Sequence, residues 1–394
     1  MRTRWTAVLV LVGAGVVAAL QIGKAVGALP AIRADTGVSL AVGGWVISAV
    51  NLAGGIFGLL IGAGADRIGH RRSALAGLAT VAAGSLLGAA APGAMVLLTT
   101  RFVEGVGLAL TVLSVPPLLR QLSAERDRGL VMGIWGAFMP AGTTLGILAA
   151  PVAAGLGGWR LMWAATAALA AGWLLLVALA TRDIAGTRHA SGRLLPTLRA
   201  VLASRGPLRL TATFAAYSLQ YLSVVAFLPT LLLTEYRLSP AWAAALSSAV
   251  TVANVPGNIL GGWLRGRGVP RWSVICAASV LMGLSGIAVY AGGLGLGWRL
   301  AAAALLSLAG GMIPATALAA ALDVAPSPAA AATTVGVVMQ GGILGQFAGP
   351  PLVAAVADAA GGWGATPLVL CIAAAAATML ALTLRRLERS LAAR

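Results

Sequence analysis

Gly62-Ala-Gly-Ala-Asp66-Arg67-Ile-Gly69-His70-Arg71-Arg72 stands between two long apolar runs, and it carries an acid, three arginines and a glycine at the point of reversal. A charged side chain at the centre of a membrane helix costs about 2.5–3.5 kcal/mol on insertion scales. The stretch is therefore expected as a tight turn at a membrane surface rather than inside hydrocarbon. Gly62 would let two helices approach closely, Asp66 would accept hydrogen bonds at the N-terminal end of a neighbouring helix, and Gly69 would permit the reversal.

The rest of the composition agrees with that setting. Of 394 residues, 59% are hydrophobic and only 9% charged, against about 25% charged in soluble domains; mean hydropathy is +0.95. A net charge of +17 and a pI near 11.7 would point to nucleic acid in a soluble chain. Here most arginines fall in short turns beside apolar runs, where they orient a membrane protein, so no nucleic-acid partner is expected. Cys276 and Cys371 lie in separate apolar segments without metal-ligand spacing, and neither a metal, a cofactor nor a disulfide is expected. The first run, 5–29, exceeds a signal-peptide core and meets Pro30 instead of a cleavage motif, which reads as a retained membrane helix.

About 20 apolar residues span a bilayer, and the chain supplies twelve such segments: 5–29, 40–65, 73–91, 94–119, 129–156, 158–181, 210–234, 240–264, 272–293, 298–322, 329–357 and 366–384. The interval 182–209 is arginine-rich with little apolar periodicity. It is expected as a cytoplasmic linker between an N-terminal bundle (1–181) and a C-terminal bundle (210–394). Cations concentrate at 67–72, 120–128, 182–209, 265–271 and 385–389, whereas the opposite loops hold only Arg33, Arg160, Arg237 and Arg299. That asymmetry puts both termini in the cytoplasm.

An internal repeat supports two halves. Asn51-x-x-Gly54-x-x-x-Gly58 recurs as Asn254-x-x-Gly257-x-x-x-Gly261, a shift of 203 residues, and Gly133 and Gly142 map at the same shift onto Gly336 and Gly345. Gly158-Trp159 has a counterpart in Gly362-Trp363, and the opening turn returns without its acid as Arg265-Gly-Arg267-Gly268-Val-Pro-Arg271.

The opening turn resembles the hallmark loop of the major facilitator superfamily of secondary transporters, roughly Gly-x-x-x-Asp-Arg-x-Gly-Arg-Arg between the second and third membrane helices. Every position but His70 is matched. The resemblance implies an all-α membrane protein: twelve transmembrane helices in two six-helix pseudo-repeat bundles, not an enzyme, working by alternating access in the cell membrane. Gly62, Asp66, Arg67, Gly69, Arg71 and Arg72 would then form a conformational switch that locks the two halves on the cytoplasmic side. A single chain of this kind can work as a monomer.

Three charged side chains fall deep within spanning segments: Lys24 in the first, Arg101 and Glu104 in the fourth. Such residues are functional candidates, because hydrocarbon tolerates them poorly. Gln21 shares the face of Lys24. In the superfamily the first, fourth, seventh and tenth helices line the central cavity, so the resemblance puts these charges around it. Arg101-Phe-Val-Glu104-Gly105-Val-Gly107 also resembles the family's fourth-segment motif, Arg-x-x-x-Gly-x-Gly, whose arginine is associated with proton coupling or substrate anions. Two cations against one acid favour a small monoanion as substrate, with Lys24 and Arg101 binding it and Glu104 tuning Arg101 or carrying a proton. The plain alternatives are that Arg101 and Glu104 only neutralise each other at i, i+3 and that Lys24 snorkels outward.

No buried charge is expected in the second half. Tyr217, Gln220 and Tyr221 share a face near the midplane of the seventh segment and could orient a polar ligand or simply join helices. Met312, Pro314 and Thr316 lie at comparable depth. Packing is the expected role for Trp45, Ser48 and Asn51, a structural one for His70, and solvation for His189. Gly136-Ala-Phe-Met139-Pro140-Ala-Gly142-Thr-Thr-Leu-Gly146 departs from the fifth-segment pattern of drug-exporting antiporters, Gly-x-x-x-Gly-Pro-x-x-Gly-Gly. Pro140, Pro151, Pro350 and Pro351 read as kinks. Lys24-x-x-x-Ala28-Leu29-Pro30-Ala-Ile-Arg33-Ala-Asp35 and Gly44-Trp45 leading to Asn51-Leu52 are similar to the cyanate and nitroimidazole permease group. The alternative function is a proton-coupled multidrug efflux antiporter with Glu104 as its proton site. No phosphate loop, metal cluster or nucleophile–base pair points to an enzyme.

Overall fold

The computed structural model describes residues 2–184, 194–291, 293–327 and 330–392, without the side chains of 194 and 386–392. The centre of the expected linker, 185–193 with His189, lies outside the described residues, as do the side chains of the tail cations Arg386 and Arg389. Among the described residues fifteen α-helices follow one another: α1 (Trp5–Thr36), α2 (Leu40–Ile68), α3 (His70–Ala89), α4 (Ala94–Leu122), α5 (Arg128–Gly136), α6 (Phe138–Leu156), α7 (Gly158–Ala180), α8 (Leu194–Leu202), α9 (Arg205–Thr234), α10 (Pro240–Val252), α11 (Asn254–Gly266), α12 (Arg271–Tyr290), α13 (Leu296–Asp323), α14 (Ala331–Ala359) and α15 (Pro367–Ala392). No strand occurs among the described residues. Eleven spans there are long and apolar enough to cross a membrane, with α5–α6 and α10–α11 each acting as one. At 29 residues, α14 has the length of a twelfth.

Two compact units result: Met1–Val38 with Trp45–Ser191 and Ser239–Ser248, and Ser39–Gly44 with Gly192–Leu238 and Ala249–Arg394. In the first, α1 packs chiefly on α6 and α3 on α4; in the second, α9 packs on α14 and α12 on α13 and α15. Glycine explains how the closest pairs meet. A Cβ on Gly142 would run into the Val16 carbonyl of α1, and one on Gly146 into the backbone of Gly23 and Lys24. Their repeat partners behave alike, Gly345 against Ala215 and Gly349 against Leu219 of α9. Gly133, in contrast, has nothing within 4 Å. Gly345→Leu is expected to cost about 1–3 kcal/mol through overpacking and to lower the thermal midpoint in detergent. Gly133→Leu should leave that midpoint unchanged, and equal losses in both would refute the packing argument.

Two spans are broken, each for the same reason. A proline ring clashes with the carbonyl four residues earlier; Pro140 and Pro256 therefore end α5 at Gly136 and α10 at Val252. Pro151, Pro350 and Pro351 instead sit within unbroken helices, as does Pro30, so α1 runs on to Thr36. The linker also differs from expectation, since Leu194–Leu202 is helical and α9 begins at Arg205. Leu194, Leu198, Val201 and Leu202 recur at three- and four-residue spacing, a short helical period hidden inside an arginine-rich stretch.

The hallmark turn is tighter than a loop. Gly62 to Arg67 continue α2, and the reversal falls on Gly69 alone, whose φ of +100° requires glycine. A Cβ at Gly62 would meet only Leu113, at 3.9 Å, so no close helix approach depends on that glycine. Asp66 lies 3.5 Å from His70 within the same turn. Arg71 reaches the C-terminal end of α7, donating to Thr181 Oγ1 (3.1 Å) and the Ala178 carbonyl (3.0 Å), where a cation suits the helix dipole. Arg72 and Arg67 are exposed. The acid missing from the second-half turn is supplied from a distance: Arg271 pairs with Asp323 at the end of α13.

Candidate functional site

Four helices of the first unit converge on one polar cluster. α1 brings Gln21 and Lys24, one turn apart; α4 brings Arg101 and Glu104 at the same spacing; α3 adds Ser85, and α7 adds Trp163 and Thr166. Gly84 makes room for this, since a Cβ there would lie 3.0 Å from Glu104 Cγ. Gly88 likewise leaves space for the Trp163 indole. Gly105 lets α4 come against the Val50 carbonyl of α2, which brings the Val46 carbonyl within reach of Arg101.

Glu104 is the hub. Its Oε1 accepts from Lys24 Nζ at 2.7 Å, and its Oε2 accepts from Arg101 Nη1. All three side chains are 0% exposed. Lys24 spends each of its three N–H groups, on Glu104, on Ser85 Oγ (2.9 Å) and on Thr166 Oγ1 (3.1 Å), and its ammonium also sits 4.4 Å from the centre of the Trp163 ring. The single Ser85 proton has two acceptors in reach, Glu104 Oε1 at 2.8 Å and Gln21 Oε1 at 3.0 Å. Arg101 is less fully used. Nε donates to the Val46 carbonyl at 2.9 Å, but Nη2 has no partner among the described residues.

Sequence reasoning paired Glu104 with Arg101 alone and left Lys24 without an acid. The structure gives Lys24 the same carboxylate across 80 residues of chain. Lys24 turns inward rather than snorkelling, and Glu104 pairs with Lys24 as well as with Arg101 at i, i+3. With two cations and one anion, the enclosed cluster carries one net positive charge when all three are ionised. Ser85, Thr166 and Trp163 went unnoticed in the sequence, being uncharged residues in segments that read as packing.

The second unit holds the other candidates. Tyr217 is 5% exposed, Gln220 is buried and Tyr221 half-buried. The two tyrosine rings stack at 6.0 Å. Tyr217 packs against Gly310 of α13, and the Asn254 amide of α11 donates to the Ser307 carbonyl at 3.1 Å. Gln220 donates to the Ala216 carbonyl at 3.2 Å, and its Oε1 has no partner among the described residues. Met312 and Thr316 are buried in α13, Thr316 bonding back to Met312.

The expectation that the second half lacks buried charge is wrong. Arg299 is 1% exposed, paired with Glu235, donating to the Ala291 carbonyl (2.6 Å) and lying over Tyr236. A position near a helix start suggested an exposed loop cation, but the chain folds back over it. At the shift of 203 residues Lys24 maps onto Phe227, which packs on Trp363, as does Tyr290. Among the described residues no group of His, Cys, Asp or Glu could hold a metal.

The major facilitator superfamily model matches residues 11–343. The puromycin resistance protein of Streptomyces alboniger is 35% identical over 159 residues, 40% of this chain and 31% of that protein. A galactose-proton symporter of Escherichia coli is 28% identical over 154 residues, 38% of this chain and 32% of its own length. The chain thus matches about a third of these relatives' length. Among solved structures, a bacterial homologue of the human lysosomal transporter Spinster, inward-facing and unoccupied, has a TM-score of 0.81 at 17% identity and covers 96% of each chain. That likeness shows the fold, a multi-pass bundle of membrane helices.

Proposed function

The chain belongs to the major facilitator superfamily, and on that premise we propose that it is a secondary transporter for a small monoanion, moved together with a proton by alternating access. The observation that carries the reading is the sealed cluster in which two basic side chains, Lys24 and Arg101, share the one carboxylate of Glu104 while Nη2 of Arg101 stays unspent. A protonated Glu104 would leave two cations without a counter-charge, and an anion entering at Arg101 would restore the balance. Proton and anion would then be favoured together, because each lowers the cost of the other in a low-dielectric site. Gln21 and Ser85 would hold the proton's surroundings, while Tyr217, Gln220 and Tyr221 would orient the solute from the second half.

On this reading 1–181 and 210–394 are the moving halves and 182–209 their linker, with both termini cytoplasmic, the protein in the cell membrane and the single chain as working unit. The turn at Gly62, Asp66, Arg67, Gly69, Arg71 and Arg72 is the conformational switch. Likeness of the opening stretch around Lys24 to cyanate and nitroimidazole permeases supports an anion, though it shares Lys24 with the charge argument. A second reading, proton-driven drug efflux, is favoured by the names of two relatives, the puromycin resistance protein and the methylenomycin A resistance protein of Bacillus subtilis.

Proteoliposomes separate the two. Uptake of cyanate or a short carboxylate, accelerated by an inward proton gradient and indifferent to an imposed membrane potential, is expected for one proton per monoanion. Proton-coupled movement of puromycin without transport of any monoanion would replace this reading with the second.

A further inference from the structure

The helix α8 presents one apolar arc that the protein covers only in part. At 100° per residue, Val201, Leu198, Leu202 and Leu195 follow one another around the helix, and Arg199 borders the arc. Val201 is buried where α8 meets α9 and α14, and Leu198 is half-buried. Beyond that contact the arc is open: Leu195 is 76% exposed and Leu202 47%, and Leu208, at the start of α9, is 42% exposed. Arg199 and Arg205 are exposed beside it and Arg209 is half-buried, none with a carboxylate within 4 Å among the described residues. No acid occurs in the sequence between Asp183 and Glu235.

We propose that α8 is an interfacial helix that binds anionic phospholipid, with Leu195, Leu202 and Leu208 entering the acyl region and Arg199, Arg205 and Arg209 meeting the headgroup phosphates. Three features select a lipid surface over another protein. The uncovered residues continue directly into the spanning helix α9, which fixes them at the membrane boundary. The flanking charge is of one sign, as an anionic surface requires. The apolar strip is narrow and rimmed by arginine, a shape that suits insertion to headgroup depth. The proposal stands whether the solute is an anion or a drug.

The test uses the full chain. In nanodiscs of phosphatidylcholine with a minor share of phosphatidylglycerol, wild-type protein is expected to retain phosphatidylglycerol preferentially on extraction. The triple variant Arg199→Gln/Arg205→Gln/Arg209→Gln should lose that preference, by about five-fold per arginine at roughly 1 kcal/mol each. Arg126→Gln/Arg182→Gln, which removes two exposed cations elsewhere, should keep it. A nitroxide on Leu195→Cys, in a Cys276→Ser/Cys371→Ser background, should be relaxed by oxygen and shielded from an aqueous nickel chelate. Equal lipid retention in wild type and triple variant, an aqueous signal at position 195, or a signal that changes only with protein concentration, as for self-association, would overturn the proposal.

Discussion

Glu104→Gln should remove about 3–5 kcal/mol of stability, the usual cost of breaking a buried ion pair from one side. The carboxylate accepts from Lys24, Arg101 and Ser85, all inside a sealed cluster. Glutamine fills the same space but offers one carbonyl oxygen, and its amide must point its own donors at a cation. Two positive charges then remain where one was compensated. The double variant Lys24→Met/Glu104→Gln returns the cluster to one net charge and should recover more than half the loss. Equilibrium unfolding in mixed detergent, run as a double-mutant cycle, measures the coupling. A Glu104→Gln protein as stable as wild type would mean that the carboxylate is not the counter-charge of either cation. In proteoliposomes the same variant mimics a permanently protonated site. Anion exchange should persist in it while the proton gradient loses its effect.

What the sequence disclosed was what the bilayer enforces. Long apolar runs must be helices, because backbone groups in lipid have to be satisfied within the segment, and so the spans were readable from composition alone. Gly69 was readable too, as the residue that could reverse between two such runs. The proline breaks at Gly136 and Val252 follow from the carbonyl four residues back. The one before Pro256 went unread, since the prolines taken as kinks were Pro140, Pro151, Pro350 and Pro351. The candidate site was legible only by its charges. Lys24, Arg101 and Glu104 stand out in any apolar chain, but the bond joining Lys24 to Glu104 spans 80 residues. No helical period encodes which helix will face which. Ser85 and Thr166 complete the lysine's hydrogen bonds with hydroxyls that elsewhere in this chain merely bond to their own helix, as Thr111 and Ser279 do. Arg299 was misread for the converse reason: a charge near a helix end looks exposed until the chain closes over it.

The two cations should prove unequal in transport, because they differ in what they have left to give. Lys24 has committed all three donors, to Glu104, Ser85 and Thr166. Arg101 retains Nη2, and its fork already grips Glu104 on one side and the Val46 carbonyl on the other. An arriving anion would therefore be met by Arg101 first. Arg101→Ala is expected to lower kcat/KM for the anion about 100-fold, since a hydrogen bond to a charged group is worth about 1.5–3 kcal/mol and 1.4 kcal/mol is a factor of ten. Arg101→Lys keeps the charge but not the planar fork, and should fall between, about ten-fold down. Lys24→Ala should spare anion exchange more than either, its main effect falling on the proton gradient's ability to drive accumulation. Initial rates with and without that gradient distinguish these outcomes. Equal losses for Lys24→Ala and Arg101→Ala would defeat the division of labour, and wild-type rates in both would leave the excess charge of the cluster with no part in choosing the solute.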